Sequence, residues 1–289
     1  VRITVFQKGF NYSQDGQGNR LVFHLQGCNM RCPWCANPEG IPVVPPIMVN
    51  KEKLLDSACP YGAVKDKELD RSRCEKCPDR RCLQSGADLG LYTAASDRST
   101  DDIIAEAVKC KPMYFDGGGV TFTGGEPTLQ FDALKEVYKG LKANGIHTAI
   151  ETNGTSPKLP ELMPYIDQLI IDLKHYDSKK QKEVTGVGNE NTKANIEQAL
   201  KIGKSVLVRI PLVNGFNAAR EDALGFAGYF ESINQDGLSV ELLPYHEFGK
   251  DKWLKCGMEY TVNDGYIKPG TLKMFEDIFK ERGIKLIRT

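Results

Sequence analysis

The sequence lacks any run approaching eighteen consecutive apolar residues, so no segment reads as a single bilayer-spanning helix. Its first residues form no apolar export segment. Charge of one sign is missing too: 38 Lys and Arg stand against 38 Asp and Glu, for a formal net charge of zero. Without a basic excess, nucleic acid is a poor main partner. The expectation is a cytoplasmic protein that engages neither nucleic acid nor membrane. At 289 residues the chain is long enough for one large α/β body with a sizeable core, or for that body plus a small insert.

Cysteine, in contrast, is plentiful. There are nine, an odd number, and seven fall between Cys28 and Cys82, leaving only Cys110 and Cys256 outside as inert or buried thiols. Clustering of this kind in a reducing compartment points to metal binding rather than disulfides. Cys28, Cys32 and Cys35 lie in Gly27-Cys28-Asn29-Met30-Arg31-Cys32-Pro33-Trp34-Cys35, a C-x3-C-x2-C spacing. Three soft thiolates so close together can hold three corners of a cubane iron–sulfur cluster and leave the fourth iron open. An open iron can bind a small molecule, whereas a fully cysteine-ligated cluster mainly stores or passes electrons. The second group is Cys59, heading Cys59-Pro60, with Cys74, Cys77 and Cys82. A close trio plus a distant Cys-Pro resembles half of a two-cluster ferredoxin, although the partner trio before Cys59 is absent and the last gap is wide. Four cysteines can close one cluster. A structural zinc site is the alternative, and it normally pairs two C-x2-C hooks where this chain has one. Either metal would help a core-poor segment to fold.

Residues 2–6 and 20–25 read as strands around a Gly-rich polar loop, so the cysteine motif follows a strand end. Pro38, Pro42, Pro45 and Pro46 then break regular structure, and a Cys-rich insert spans 44–92. From Ser99 the pattern becomes regular. Ser99 or Thr100 caps a helix with Asp101 and Asp102 in its first turn. Strands are expected at 119–123, 146–151, 168–172, 206–210 and 238–243, with helices through 131–141, 191–202, 220–235 and 270–282. Strand-then-helix units at this spacing imply parallel strands with right-handed crossovers, and about six such units fit. Cys28, Glu126, Glu151, Asp172, Arg209 and His246 all fall at strand ends, where barrel-like folds build their sites. A doubly wound sheet uses the same local pattern and remains the alternative.

The motifs then read together. Ser13-x-Asp15-Gly16-x-Gly18 precedes the cysteines, and Gly124-Gly125-Glu126-Pro127 follows a strand. Glu151-Thr152-Asn153-Gly154, Asp172-Leu173-Lys174 and Pro244-Tyr245-His246-Glu247 complete the set. On these residues the chain resembles the radical S-adenosylmethionine (SAM) enzymes, and among them the activating enzymes of glycyl radical enzymes, over nearly its whole length. The resemblance implies an α/β fold, a partial (β/α)6 TIM-type barrel from 1–43 and 93–289, with a small ferredoxin-like iron–sulfur insert at 44–92. It implies that Cys28, Cys32 and Cys35 hold a [4Fe–4S] cluster whose open iron is chelated by SAM. Reductive cleavage would give a 5′-deoxyadenosyl radical that takes a hydrogen from a glycine α-carbon of a large partner enzyme. The reductant would be a flavodoxin or ferredoxin, the setting anaerobic and the activase a monomer in isolation.

Residue roles follow from the same resemblance. Gly124 and Gly125 lack Cβ and so permit close approach of a ligand, and Glu126 would accept a hydrogen bond from the SAM amine. Trp34 packs near the adenine or fills core. Lys174 would pair with the SAM carboxylate, and Asp172 with ribose or a cation. Arg209, alone in an apolar strand and therefore in need of partners, would reach the substrate peptide with Asp15. His246 would lie near SAM, while His24, His147 and His175 make weaker cases. Glu151, Thr152 and Asp172 match a monovalent-cation site, with Glu151 standing where Asp is usual. Cys59, Cys74, Cys77 and Cys82 would carry a second [4Fe–4S] cluster. Competing readings are a radical SAM enzyme acting on a small molecule or peptide, and an iron–sulfur electron carrier.

Overall fold

The computed structural model of the chain describes residues 1–12, 14–85 and 87–289; Ser13, the first residue of the Ser13–Gly18 motif, lies outside the described residues. Eight strands among them form the main sheet: β1 (Arg2–Tyr12), β2 (Asn19–Leu25), β3 (Ser96–Ser99), β4 (Gly119–Gly124), β5 (Thr148–Thr152), β6 (Gln168–Asp172), β7 (Val206–Leu212) and β8 (Leu238–Pro244). Their order across the sheet is β8-β7-β6-β5-β4-β2-β1-β3. Strands β2, β4, β5, β6, β7 and β8 run parallel, while β1 pairs antiparallel with both β2 and β3.

Along the parallel run the order follows the chain without reversing. A doubly wound sheet needs a reversal, at which its ligand crevice opens. The sequential order therefore favours the barrel-like alternative, and the sheet remains open because β8 and β3 do not pair among the described residues. The protein is a mixed α/β fold with a central sheet consistent with a partial-barrel core. Among the described residues no helix is long and apolar enough to cross a membrane.

Side chains alternate between the two faces of each strand, and here the two faces differ in chemistry. Val120 and Phe122, Leu169 and Ile171, Val206, Val208 and Ile210, and Leu238 and Val240 all enter one apolar core. Helices Thr100–Lys109, Phe131–Ala143, Glu190–Lys201, Arg220–Ser232 and Thr271–Glu281 contribute the rest of that core through residues such as Ile103, Tyr138, Ile196, Phe226 and Phe279. Tyr138 sets its ring edge-on to Phe122 at 5.2 Å and its hydroxyl donates to Ala149 O at 2.9 Å. The intervening positions carry Arg20, Thr121, Thr123, Glu151, Asp172, Arg209 and Glu241, and they make up the polar inner face. Ser99 caps the first of these helices as expected, its Oγ accepting from Asp102 N at 3.0 Å.

Four elements differ from the sequence reading. Strand β1 continues to Tyr12 because it pairs with β2 down to Asn19, turning the Gly-rich loop into the tip of a hairpin. The polar segment Ser96–Ser99 is an edge strand recruited by β1, with no apolar signature of its own. Helices Ser178–Thr185 and Lys250–Cys256 are short and largely polar, and the first is capped by Asp177 accepting from Lys180 N at 3.1 Å.

Within 44–92, two-residue ladders join Met48–Val49 to Leu91–Tyr92 and Val64–Lys65 to Glu68–Leu69. A second, smaller apolar cluster sits there, built on Ile47, Val49, Leu54, Val64 and Leu91 with Cys82 among them. Arg71 ties the segment to the body, donating to Ile47 O at 2.7 Å and to Lys255 O at 3.0 Å.

Candidate active site

Strand β2 delivers the cysteine motif to one end of the sheet. Beyond Leu25 the chain loops out and returns upon itself: Gly27 N donates to Gly40 O and Cys28 N to Ile41 O, both at 2.9 Å. The Gln26 carboxamide pins the return by donating to Glu39 O at 2.8 Å and Pro42 O at 2.6 Å. Trp253 closes the far side, its indole N–H donating to Cys35 O at 2.9 Å. Two backbone N–H groups point at sulfur, Met30 N at Cys28 Sγ and Asn37 N at Cys35 Sγ, each at 3.4 Å. Burial pushes the thiols of Cys28 and Cys32 up to about 12 and raises that of Cys35. Left alone, these groups are protonated at neutral pH, so iron binding must displace their protons.

The three cysteines line a single cavity of about 260 Å³. Its walls also include Asp15, Trp34, Gly124, Gly125, Glu151, Thr152, Asp172, Lys174 and His246, so most of the residues singled out in the sequence converge there. Among the described residues no three His, Cys, Asp or Glu side chains converge tightly enough to hold a single metal ion. A cubane does not ask for that, because each thiolate binds a different iron. Trp34 lines the cavity and packs against Phe216 with ring centroids 4.9 Å apart. His246 stacks on the exposed ring of Phe248 at 4.3 Å. Asp172 and Lys174 leave the same face and pair at 2.8 Å. Burial works against the Lys174 ammonium, but Asp172 and Cys32 beside it hold its pKa above the ordinary value.

Glu126 departs from expectation. It is fully buried and absent from the cavity wall. One carboxylate oxygen accepts from Thr128 N at 3.1 Å, Thr128 Oγ1 at 2.6 Å and Thr152 Oγ1 at 2.7 Å, and the other accepts from Asn153 N at 2.8 Å. With four protein donors on it, the side chain joins the turn after β4 to the turn after β5. The glycines before it differ in purpose as well. Both line the cavity, but a Cβ on Gly125 would stand 2.1 Å from Gly27 O and one on Gly124 2.5 Å from Leu25 N. The protein's own backbone, strand β2 at Gly124 and the cysteine loop at Gly125, requires glycine at both before any ligand.

Arg209 also binds other partners than those expected. The buried guanidinium donates to Glu241 Oε2 at 2.8 Å, Glu151 Oε1 at 2.7 Å and Thr289 Oγ1 at 3.1 Å, and to the backbone carbonyl of Gln14. It meets the hairpin tip at Gln14 rather than at the Asp15 side chain, which accepts from Asn11 Nδ2. Burial opposes the charge, but Glu151 and Glu241 hold its pKa above the ordinary value. The expected cation donors are therefore engaged: Glu151 by Arg209 and by Thr123 Oγ1 at 3.0 Å, Asp172 by Lys174, and Thr152 by Glu126.

A sequence model of the Radical SAM superfamily matches residues 22–227, which contain the cysteine motif and strands β4 to β7. The chain belongs to the radical SAM superfamily. It is 32% identical over 289 residues to the 4-hydroxyphenylacetate decarboxylase activating enzyme of Clostridioides difficile (strain 630), covering 93% of this chain and 90% of that one. It is 29% identical over 284 residues to the isethionate sulfite-lyase activating enzyme of Nitratidesulfovibrio vulgaris, covering 91% of each. In fold it resembles a radical SAM methyltransferase from Sphaerobacter thermophilus, with a TM-score of 0.56 at 15% identity over 99% of this chain and 72% of that one. It is thus a radical SAM enzyme closely related to activating enzymes, and membership implies a SAM and [4Fe–4S] type of cofactor system.

The second cysteine group of this radical SAM chain gathers as well. Cys59, Cys74, Cys77 and Cys82 line one cavity of about 290 Å³, with Ile47, Leu69 and Leu91 supplying apolar wall. None of the nine cysteines is in a disulfide. Sequence reasoning missed Glu241, Thr123, Arg20 and the weight of His24. Glu241 carried the same signal as Arg209, a lone charge in the apolar run Leu238–Leu243. His24 is on the inner face of β2 and lines the cavity; its Nδ1 is buried with no partner among the described residues, and burial lowers its pKa to about 4.

Proposed function

We propose that this chain is an activase of a glycyl radical enzyme, working with SAM and a [4Fe–4S] cluster at Cys28, Cys32 and Cys35. The observation that carries the reading is the convergence of these cysteines with Asp172, Lys174, His246 and Trp34 on one cavity, in a chain related end to end to activating enzymes. When bound, the cluster and SAM supply an electron and a 5′-deoxyadenosyl radical for hydrogen abstraction from a glycine α-carbon. The protein's part is to bind, orient and keep water out. The Lys174 ammonium, paired with Asp172 at 2.8 Å, would also meet the SAM carboxylate. His246 and Trp34 offer flat rings to a nucleobase or ribose. The N–H groups aimed at Cys28 and Cys35 sulfur stabilise thiolate and so tune the cluster potential.

The hairpin tip from Gln14 to Gly18, held by Arg209, would face the incoming glycine loop of the partner. The reductant, a flavodoxin or ferredoxin, is what the family resemblance implies, as are the cytoplasmic, anaerobic setting and the monomeric state. On this reading 1–43 and 93–289 would form a partial (β/α)6 barrel, and 44–92 a ferredoxin-like insert. The four cysteines there would carry a second [4Fe–4S] cluster: they surround a cavity, whereas four thiolates on one zinc ion would converge on a point. The test is anaerobic reconstitution with SAM and a strong reductant. 5′-Deoxyadenosine above a Cys32→Ala control supports radical SAM chemistry, and a glycyl radical signal on an added candidate partner enzyme identifies the substrate. A full iron load without product removes the activase reading.

A further inference from the structure

A monovalent-cation site at Glu151, Thr152 and Asp172 does not fit this structure, because a protein group already meets each of the three side chains. Glu151 Oε1 lies 2.7 Å from the Arg209 guanidinium and its Oε2 accepts from Thr123. Asp172 Oδ2 lies 2.8 Å from the Lys174 ammonium. The Thr152 hydroxyl donates to Glu126 and accepts from Gly154 N at 3.0 Å. A hard cation needs several oxygens turned towards it with free lone pairs, and a second positive charge beside a buried guanidinium is repelled where screening is weakest. Arg209 cannot retreat to make room, since Glu241 grips it from the next strand at 2.8 Å and Thr289 and Gln14 hold its other nitrogen.

We propose that Arg209 is the resident cation of this site, so that SAM binding and cleavage here require no alkali metal ion. The length of Glu151 makes this arrangement reachable. Its strand β5 is separated from β7 by β6, with Glu151 beside Ile170 and Arg209 beside Asp172 in register. An aspartate at 151 would stop one methylene short of the guanidinium and leave its carboxylate unpaired. The inference rests on the radical SAM reading above, and its test keeps the two apart.

The cluster-loaded protein is exchanged into tetramethylammonium salts and compared, at equal ionic strength, with potassium and sodium salts. Three quantities are read: 5′-deoxyadenosine rate, SAM affinity by calorimetry and melting temperature. The wild type is expected to differ less than about twofold in rate and affinity, and to melt at the same temperature in all three salts. Glu151→Asp is expected to gain roughly tenfold or greater stimulation by potassium or sodium, and a melting temperature that rises with either ion. Tenfold stimulation of the wild type, or a rise in its melting temperature on adding potassium, overturns the inference and leaves the radical SAM reading intact. A Glu151→Asp protein as indifferent to salt as the wild type also overturns it, since Arg209 would then not be what excludes the ion. Should no salt give product from fully loaded protein, the radical SAM reading fails, and the wild-type melting comparison still decides the cation question alone. If Glu151→Asp does not fold, Arg209→Gln replaces it with the same expected gain.

Discussion

Glu126→Gln separates an organising carboxylate from a ligand-binding one. In the wild type, one oxygen of Glu126 takes Thr128 N, Thr128 Oγ1 and Thr152 Oγ1, and the other takes Asn153 N. Glutamine offers one accepting oxygen and one donating amide. Placed with its oxygen at Thr128 and Thr152, it turns an N–H towards Asn153 N–H. Flipped, it turns the amide towards Thr128 N–H, which cannot rotate away as the two hydroxyls can. In either pose one buried backbone donor loses its acceptor, at roughly 1–3 kcal/mol, and the remaining bonds lose their charge assistance. Relief from burying a charge offsets part of this: burial already lifts the Glu126 pKa against those four bonds. The net loss is about 2 kcal/mol, or about 4 °C in melting temperature for a chain of this size. Anaerobic melting of cluster-loaded protein beside SAM calorimetry reads both effects. A variant that melts within a degree of wild type while SAM affinity falls tenfold would refute the reasoning, because the carboxylate would then be touching the ligand.

Three further outcomes follow from the same geometry. His24, with its pKa lowered to about 4 by burial, stays neutral in the fold while its unfolded counterpart protonates near 6.5; the unfolded state thus binds more protons, and stability falls as pH drops from 7.5 to 5 by about 2 kcal/mol. Urea unfolding of His24→Phe over that range should lose about 2 kcal/mol less than wild type, and equal slopes would reject a buried neutral imidazole. Gly125→Ala drives a Cβ into Gly27 O and Gly40 O, both backbone and unable to yield; it should cost about 3 kcal/mol and lower the iron bound at the first motif, whereas a normal iron-to-protein ratio and melting point would show that the loop has room. Cys77→Ser should remove the iron of one cluster while SAM cleavage persists; finding zinc in the wild type in place of that iron would end the second-cluster reading.

Much of the inner face was legible because it obeys a period of two. Asp172 and Lys174 flank Leu173, and the alternation places acid and base on one side at the end of β6. The same rule explains Arg209 as a lone charge between Val208 and Ile210. It could not say which carboxylates would meet the guanidinium: Asp172 and Glu241 are its register neighbours on β6 and β8, yet Glu241 and Glu151, from a strand further away, take it. Side-chain length and the demand of Lys174 decide that choice, and neither leaves a mark on sequence spacing. Ser96–Ser99 escaped notice for another reason. Its strand state comes from backbone pairing with β1, and pairing across some 95 positions has no local signature.

Two buried charges, Glu126 and Arg209, resemble each other in their bonding. Glu126 carries four donors and Arg209 gives to four acceptors, so most of the bonding of each is spent within the protein. Both hold loops: Glu126 the turns after β4 and β5, Arg209 the hairpin tip at Gln14 and the last residue of β5's inner row. A charge placed in this way is costly to bury and costly to unpair, which makes it a rigid frame. Recognition then falls to groups whose bonding is incomplete, namely the three cysteines, the Lys174–Asp172 pair, the His24 ring with its unpartnered Nδ1, and the rings of Trp34 and His246. Of these His24 stands on a strand and not a loop, so its position is fixed to within the stiffness of the sheet. A substrate that leaves His24 without a partner forgoes a hydrogen bond in a dry site, and one that supplies a partner gains it. Selectivity among partner peptides should accordingly change more on His24→Phe than on substitution of any exposed loop residue, which competition between two glycine-loop peptides for the loaded enzyme would measure.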